Sequence, residues 1–183
     1  GQQRLPEQDP LGPTLLPPGP AEGEATMQTL LMPLLERAEA TASLQGRPWR
    51  GPDLWPQWID QPSQDGTIAE IVANLLENAF RYSPAGCSVG LCLLPEGLCV
   101  WDNGPPIPLE ERDLIFERGA RGSTGQDRAG TGLGLALARS LAEQQGRKLK
   151  LCVKPSTIAP DLPAQGNAFV LSWPAGARPD PTT

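Results

Sequence analysis

Between Thr67 and Tyr82 the apolar residues Ile68, Ile71, Val72, Leu75, Leu76 and Ala79 recur at steps of three and four, the spacing of one helical face. Asp65-Gly66-Thr67 supplies turn and cap chemistry ahead of them, and Pro84-Ala85-Gly86 ends the run. Met27, Leu30, Leu31, Leu34, Leu35 and Ala38 repeat with the same period, which predicts a helix from Ala25 to Leu44, kinked at Pro33 or beginning there. A third helix is predicted from Gly132 to Gln145, closed by Gly146. The runs SVGLCLL (88–94) and GLCVWD (97–102), joined at Pro95-Glu96-Gly97, read as a strand hairpin. KLKLCV (148–153) and NAFVLSW (167–173) read as two further strands. The stretch 47–60 sets Trp49, Trp55 and Trp58 between prolines, which suits an extended edge strand or two short ones with the indoles packed at core or edge. LEERDLIFE (109–117) predicts a short helix. This order places the helices on one face of a mixed or mostly antiparallel sheet, an α+β two-layer sandwich.

The ends differ in character. Residues 1–24 and 175–183 are rich in proline and poor in residues worth burying, so they read as a flexible linker and a tail around one domain at 25–174. With 183 residues, 39% of them hydrophobic, the chain has material for one core. No apolar run is long enough to span a membrane and the first residues lack the signature of a signal peptide, so the expectation is a soluble, cytoplasmic piece. Four cysteines without a CxxC pair, and no histidine at all, argue for reduced thiols and against a zinc site. A net charge of −6 argues against a nucleic-acid or anionic-membrane partner.

Three stretches carry candidate chemistry beside the strongest helix. On that helix Asn74, Asn78 and Arg81 line one edge of the apolar arc, with Tyr82 at the same boundary; taken alone this is an exposed polar flank. In WDNGPPIP (101–108) a carboxylate, Asp102, ends a strand and a glycine turn follows at once; this fits a hydrogen-bond acceptor at a cleft edge or simply a good turn. In GTGLGLA (130–136) the glycines allow close backbone approach to a phosphate at a helix start. The spacing is not that of a P-loop, and a polar loop rather than a strand precedes it, so the dinucleotide fingerprint fails its context. Arg118, Arg121 and Arg128, spread among glycines, give the loop 118–129 a local positive charge suited to folding over polyphosphate. Together the four stretches favour a nucleotide-binding cleft.

NLLENAFRYS (74–83), DNGPPI (102–107), IFERGARG (115–122) and GTGLGLA, in that order, closely resemble the ATP-binding catalytic domain of sensor histidine kinases. The wider group contains DNA gyrase, the Hsp90 chaperone and the MutL ATPases and shares a sandwich often called the Bergerat fold; the resemblance covers about residues 25–174. It implies that Asn78 binds Mg²⁺ bridging the phosphates of ATP, with Asn74 one turn before it and Arg81 reaching the terminal phosphate. Arg81 and Asn74 would thus serve catalysis. It further implies that Tyr82 borders the nucleotide, that Asp102 reads the adenine amine with Gly104 giving room and Ile107 lining the site, and that Arg121 belongs to the lid. Gly130, Thr131, Gly132, Leu133 and Gly134 would cradle the phosphates.

Departures from the family pattern are Pro106 for a second glycine, Gly119-Ala120 for an aromatic pair in the lid, and Asn167 for a threonine near the adenine. The resemblance also implies partners: a histidine-bearing dimerisation domain of the same parent protein, absent from this chain, and a response regulator. The fragment itself is expected to be monomeric, the proline-rich start being a connector to segments upstream. The alternatives are a non-catalytic nucleotide-sensing or docking module and an anti-sigma-type serine kinase or dimeric ATPase. Hydrolases of the group usually place a water-activating glutamate where this chain has Asn74, which disfavours hydrolysis.

Overall fold

The computed structural model describes residues 25–63, 66–117 and 134–173. The predicted linker 1–24, lid loop 118–129, phosphate-loop residues 130–133 and tail 175–183 lie outside them. The elements in chain order are β1 (Ala25–Thr26), α1 (Met27–Gln45), β2 (Trp49–Arg50), β3 (Pro62–Ser63), α2 (Thr67–Tyr82), β4 (Val89–Leu94), β5 (Gly97–Asp102), α3 (Gly134–Gln144), β6 (Lys148–Cys152) and β7 (Asn167–Ser172). Five strands form one sheet in the order β2-β4-β5-β7-β6, parallel between β2 and β4 and antiparallel elsewhere, while β1 and β3 pair separately. The mixed sheet with helices on one face is the predicted two-layer sandwich.

Strand alternation divides the side chains between the two faces. Leu91, Leu93, Leu98, Val100, Leu149, Phe169 and Leu171 join the core built with α1, α2 and α3. Cys99, Trp101 and Ala168 point to the other face, where Leu162 from the 153–166 connection covers them. Asp102 continues the series of Leu98 and Val100, and Asn167 that of Phe169 and Leu171, so both polar residues sit on the helix-bearing face at its end. All four cysteines are free thiols.

Capping explains the helix limits. Thr26 and Thr29 form a reciprocal capping box, with Thr26 Oγ1 accepting from Thr29 N at 3.2 Å and Thr29 Oγ1 from Thr26 N at 2.9 Å. α1 therefore starts at Met27 and runs through Pro33 rather than beginning there; Pro33 is exposed, and its ring faces solvent at the loss of one backbone bond. At their other ends α1 and α3 stop alike. Gly46 (φ 66°) and Gly146 (φ 74°) turn left-handed, and the amides of Arg47 and Arg147 reach back to the carbonyls of Ala42 (3.0 Å) and Ala142 (2.9 Å).

One prediction holds in part and one is corrected. The tryptophan-rich stretch 47–60 gives only the two-residue β2 and a 3₁₀ turn at Gln57–Asp60, because prolines 48, 52 and 56 interrupt any ladder. Trp58 is buried, donating Nε1–H to the Leu94 carbonyl at 2.6 Å, and Trp49 stacks on Phe80, but Trp55 is exposed. LEERDLIFE forms two separate 3₁₀ turns, Leu109–Glu111 and Leu114–Phe116, not one helix. Only Ile115 is buried there, so no continuous apolar stripe exists to hold an α-helix down. No helix among the described residues is long and apolar enough to cross a membrane.

Candidate functional site

The site begins at the end of β5. Asp102 is buried there, and burial is the main influence on its carboxyl, pushing the pKa up; the hydrogen bond from Gly104, that from Asn167 and the charge of Arg47 pull it back in that order. Gly104 N donates to Asp102 Oδ1 at 2.8 Å, and Asn167 Nδ2 donates to the same oxygen at 3.4 Å. Among the described residues both bonds to the carboxylate thus go to one oxygen. Oδ2 is left to accept from a ligand.

Gly104 has no room for a side chain. A methyl group on it would come within 3.0 Å of Asp102 Oδ1 and of Pro84 Cδ, and 3.5 Å of Cys87 Sγ. The loop after β5 therefore lies flat against the turn that follows α2. Gly166 is tighter still, for a side chain there would run into the backbone carbonyl of Asp102. That close approach is what allows Asn167 to stand opposite Asp102.

Asn167 was read from the sequence only as a departure, and its bonding is what sequence reasoning missed. Its Oδ1 accepts from Ile107 N at 2.8 Å and its Nδ2 donates to the Pro105 carbonyl at 2.9 Å. Arg47 was missed as well. Buried behind the end of α2, it donates to the carbonyls of Cys87 (2.9 Å) and Phe80 (3.3 Å) and to Ser83 Oγ. It thereby fixes both the helix terminus and the turn that Gly104 packs on. The only signal for it in the sequence is an arginine directly after a helix-ending glycine.

α2 supplies the other wall. Asn74 and Asn78 are half-buried on successive turns, and a methyl on Gly134 would meet Asn74 Oδ1 at 3.6 Å. Gly134, the first described residue of α3, thus lies beside Asn74. Tyr82 is half-buried as the last residue of α2, and Ile107 is half-buried against the main core. The candidates Arg121, Gly130, Thr131, Gly132 and Leu133 lie outside the described residues.

Arg81 lies at a groove between α1 and α2. Its guanidinium pairs with Glu77 Oε2 at 2.8 Å, and both residues line this groove, of ≈ 620 Å³, together with Leu34, Arg37, Thr41 and Phe80. Neither asparagine nor Asp102 lines that groove. On the helix, at about 100° per residue, Arg81 falls some 60° from Asn78 and about 40° from Glu77, its ion-pair partner.

Known proteins match this chain in sequence and in fold. The family model of the histidine kinase-, DNA gyrase B- and HSP90-like ATPases matches residues 64–177. The chain belongs to this ATPase family. Sensor histidine kinase Hik2 of Thermosynechococcus vestitus is 35% identical over 82% of this chain and 39% of its own length. Sensor protein KdpD of Escherichia coli is 38% identical over 63% of this chain and 13% of its own. The chain therefore spans well under half the length of these relatives. Among solved structures, the mycobacterial sensor histidine kinase MprB superposes with a TM-score of 0.60 at 25% identity, covering 86% of this chain and 99% of that one. The catalytic domain of histidine kinase ThkA gives 0.61 at 21% identity, covering 82% and 95%, which speaks to the fold alone. The resemblance read from the four motifs and the two-layer sandwich are both borne out.

Proposed function

We propose that the ATPase-family domain, residues 25–174, binds Mg²⁺-ATP and donates its γ-phosphoryl group to a histidine on a separate dimerisation domain of a two-component sensor kinase. The observation that carries this reading is Asp102: a buried carboxylate whose two protein bonds share Oδ1, facing a loop that Gly104 keeps flat. An exocyclic amine is the ligand group that such an acceptor suits. The adenine would enter there, beside Gly104, Ile107 and Tyr82. Asn74 lies eight residues before Tyr82, about 12 Å along the helix axis, which leaves room for sugar and phosphates towards Asn74 and α3.

The residues present fit a magnesium ion. Asn78 offers a hard amide oxygen on the turn after Asn74, and the described residues contain no cluster of three His, Cys, Asp or Glu, so phosphate oxygens and water would complete the shell. When bound, the ion would neutralise phosphate charge. Asn74 and Asn78 would orient the phosphates, the amides at the start of α3 with Gly130–Gly134 would hold them, and Arg121 would close over them. Asn74 stands where a hydrolase would need a carboxylate, which supports transfer over hydrolysis. Glu77 is held by Arg81 on the other flank of α2. We further assign the domain to the cytoplasm, with a response regulator as the final acceptor.

One observation favours a second reading. Arg81 pairs with Glu77 and lines the groove between α1 and α2, which suits a nucleotide-sensing or docking module that binds ATP without transferring phosphate. Calorimetric titration with ATP, with and without Mg²⁺, on the wild type, Asp102→Ala and Asn78→Ala tests the site. Asp102→Ala is expected to abolish binding in both conditions and Asn78→Ala to remove the gain that Mg²⁺ gives; unchanged affinity in both variants rejects the assignment. Phosphorylation of a supplied histidine hairpin separates the kinase from the sensing module.

A further inference from the structure

Two of the three departures from the family pattern meet in space. Pro106 and Asn167 are 61 positions apart in the chain, yet the Asn167 amide bonds to the residues on both sides of Pro106, the Pro105 carbonyl and the Ile107 amide. It does so as the peptide group of a neighbouring strand would. Pro106, lying between, has no N–H that needs a partner. The orientation of the side-chain amide is fixed by this pairing, since the Ile107 N–H needs an acceptor and the Pro105 carbonyl a donor. With the amide so oriented, its donor end faces the Asp102 carboxylate at 3.4 Å. Asn167 is buried and Gly166 brings it against the Asp102 backbone.

We propose that Asn167 is a positioning residue of the base pocket: it pins the 105–107 rim and occupies Asp102 Oδ1, so that Asp102 presents Oδ2, ionised and in one orientation, to a 6-amino purine. This rests on the reading of Asp102 as the base acceptor. The consequence is selectivity. An ionised carboxylate accepts from the 6-amino group of ATP and repels the 6-oxo group of ITP, whereas a protonated one donates to the 6-oxo group. Asn167 holds Asp102 in the discriminating form, by donating to it and by keeping the rim from moving.

The test has two arms on the 183-residue chain and its Asn167→Ala and Asn167→Asp variants. Asn167→Asp keeps an acceptor for Ile107 but loses the donor to Asp102 and Pro105, and serves if the alanine variant does not fold. In the first arm, the Asp102 carboxyl is titrated by carbon NMR without nucleotide. Its midpoint is expected to move upward in Asn167→Ala and further in Asn167→Asp, where a like charge is added. In the second, ATP and ITP affinities are compared, and their ratio is expected to fall about tenfold, the worth of one hydrogen bond to a charged group. A midpoint at the wild-type position in the variants that fold overturns the inference. A wild type that binds no ATP overturns the base-pocket reading instead, and the titration still decides whether Asn167 sets the state of Asp102. An unchanged ATP/ITP ratio beside a shifted midpoint overturns the selectivity role.

Discussion

Asp102 and Asn167 are direct partners across β5 and β7, and the amide of one donates to the carboxylate of the other at 3.4 Å. The pair stands on the helix-bearing face, where the strands run out beside the end of α2. The end of the central strand β5 thus carries a buried carboxylate, while Asn74 and Gly134 of α3 lie side by side farther along α2. Arg47 ties the two together by holding the terminus of α2 on the turn against which Gly104 packs.

Replacing Asp102 by asparagine is expected to separate binding from stability. The substituted carboxamide can still accept from the Gly104 amide, and the change removes a buried charge that the fold does not need. Nucleotide affinity should fall by about ten- to a hundredfold, the worth of a hydrogen bond to a charged group. The melting temperature should hold or rise. Calorimetry and thermal melts on the same samples check both.

The pH response has opposite signs for binding and stability. Burial raises the Asp102 pKa above its ordinary value, so the folded chain keeps that proton to higher pH than the unfolded chain does. The associated stability is complete below the ordinary carboxylate value and is lost as pH rises through the raised folded value. Urea unfolding across that window should show declining stability, flattened in Asp102→Asn. Nucleotide affinity should instead climb with pH over the same window, as the acceptor ionises.

Gly104→Ala tests the flatness of the loop. A methyl at 3.0 Å from both Asp102 Oδ1 and Pro84 Cδ must push one of them away. The cost should be about 1–3 kcal/mol of stability, typical of overpacking, with weaker nucleotide binding because the carboxylate is displaced. Denaturant melts and titration with ATP measure the two effects.

How much of this was legible in the sequence depends on the distance over which each residue acts. α2 and the β4–β5 hairpin were readable because their patterns are local: six apolar residues at helical spacing, and two runs around a Pro-Glu-Gly turn. Asp102 and the asparagines were readable as types in a known order. LEERDLIFE misled because its charges favour helix while Leu109 and Leu114 find nothing to be buried against. Arg81 could be placed on its arc, but its pairing with Glu77 was not read, since a helical wheel does not weigh one partner against another. Asn167 and Arg47 were illegible because their partners lie 60 and 62 positions away (Ile107, Pro105) in the first case and 33 and 40 away (Phe80, Cys87) in the second.

Arg47 offers the sharpest test of whether the end of α2 must be fixed for the site to form. Its guanidinium serves the carbonyls of Phe80 and Cys87 and the Ser83 hydroxyl from a buried position, and its ring-facing side lies 5.6 Å from the centre of Phe80. Arg47→Met keeps much of the volume but strands those acceptors, at about 1–3 kcal/mol for each left unsatisfied. Arg47→Lys keeps the charge but not the planar fork, so it should recover only part of the loss. Hydrogen exchange at the last turn of α2 and at residues 85–87 should rise in both variants, while β6, at the far edge of the sheet, stays protected. If exchange rises uniformly over the sheet instead, Arg47 contributes to global stability and not to the placement of α2 against Asp102 and Gly104.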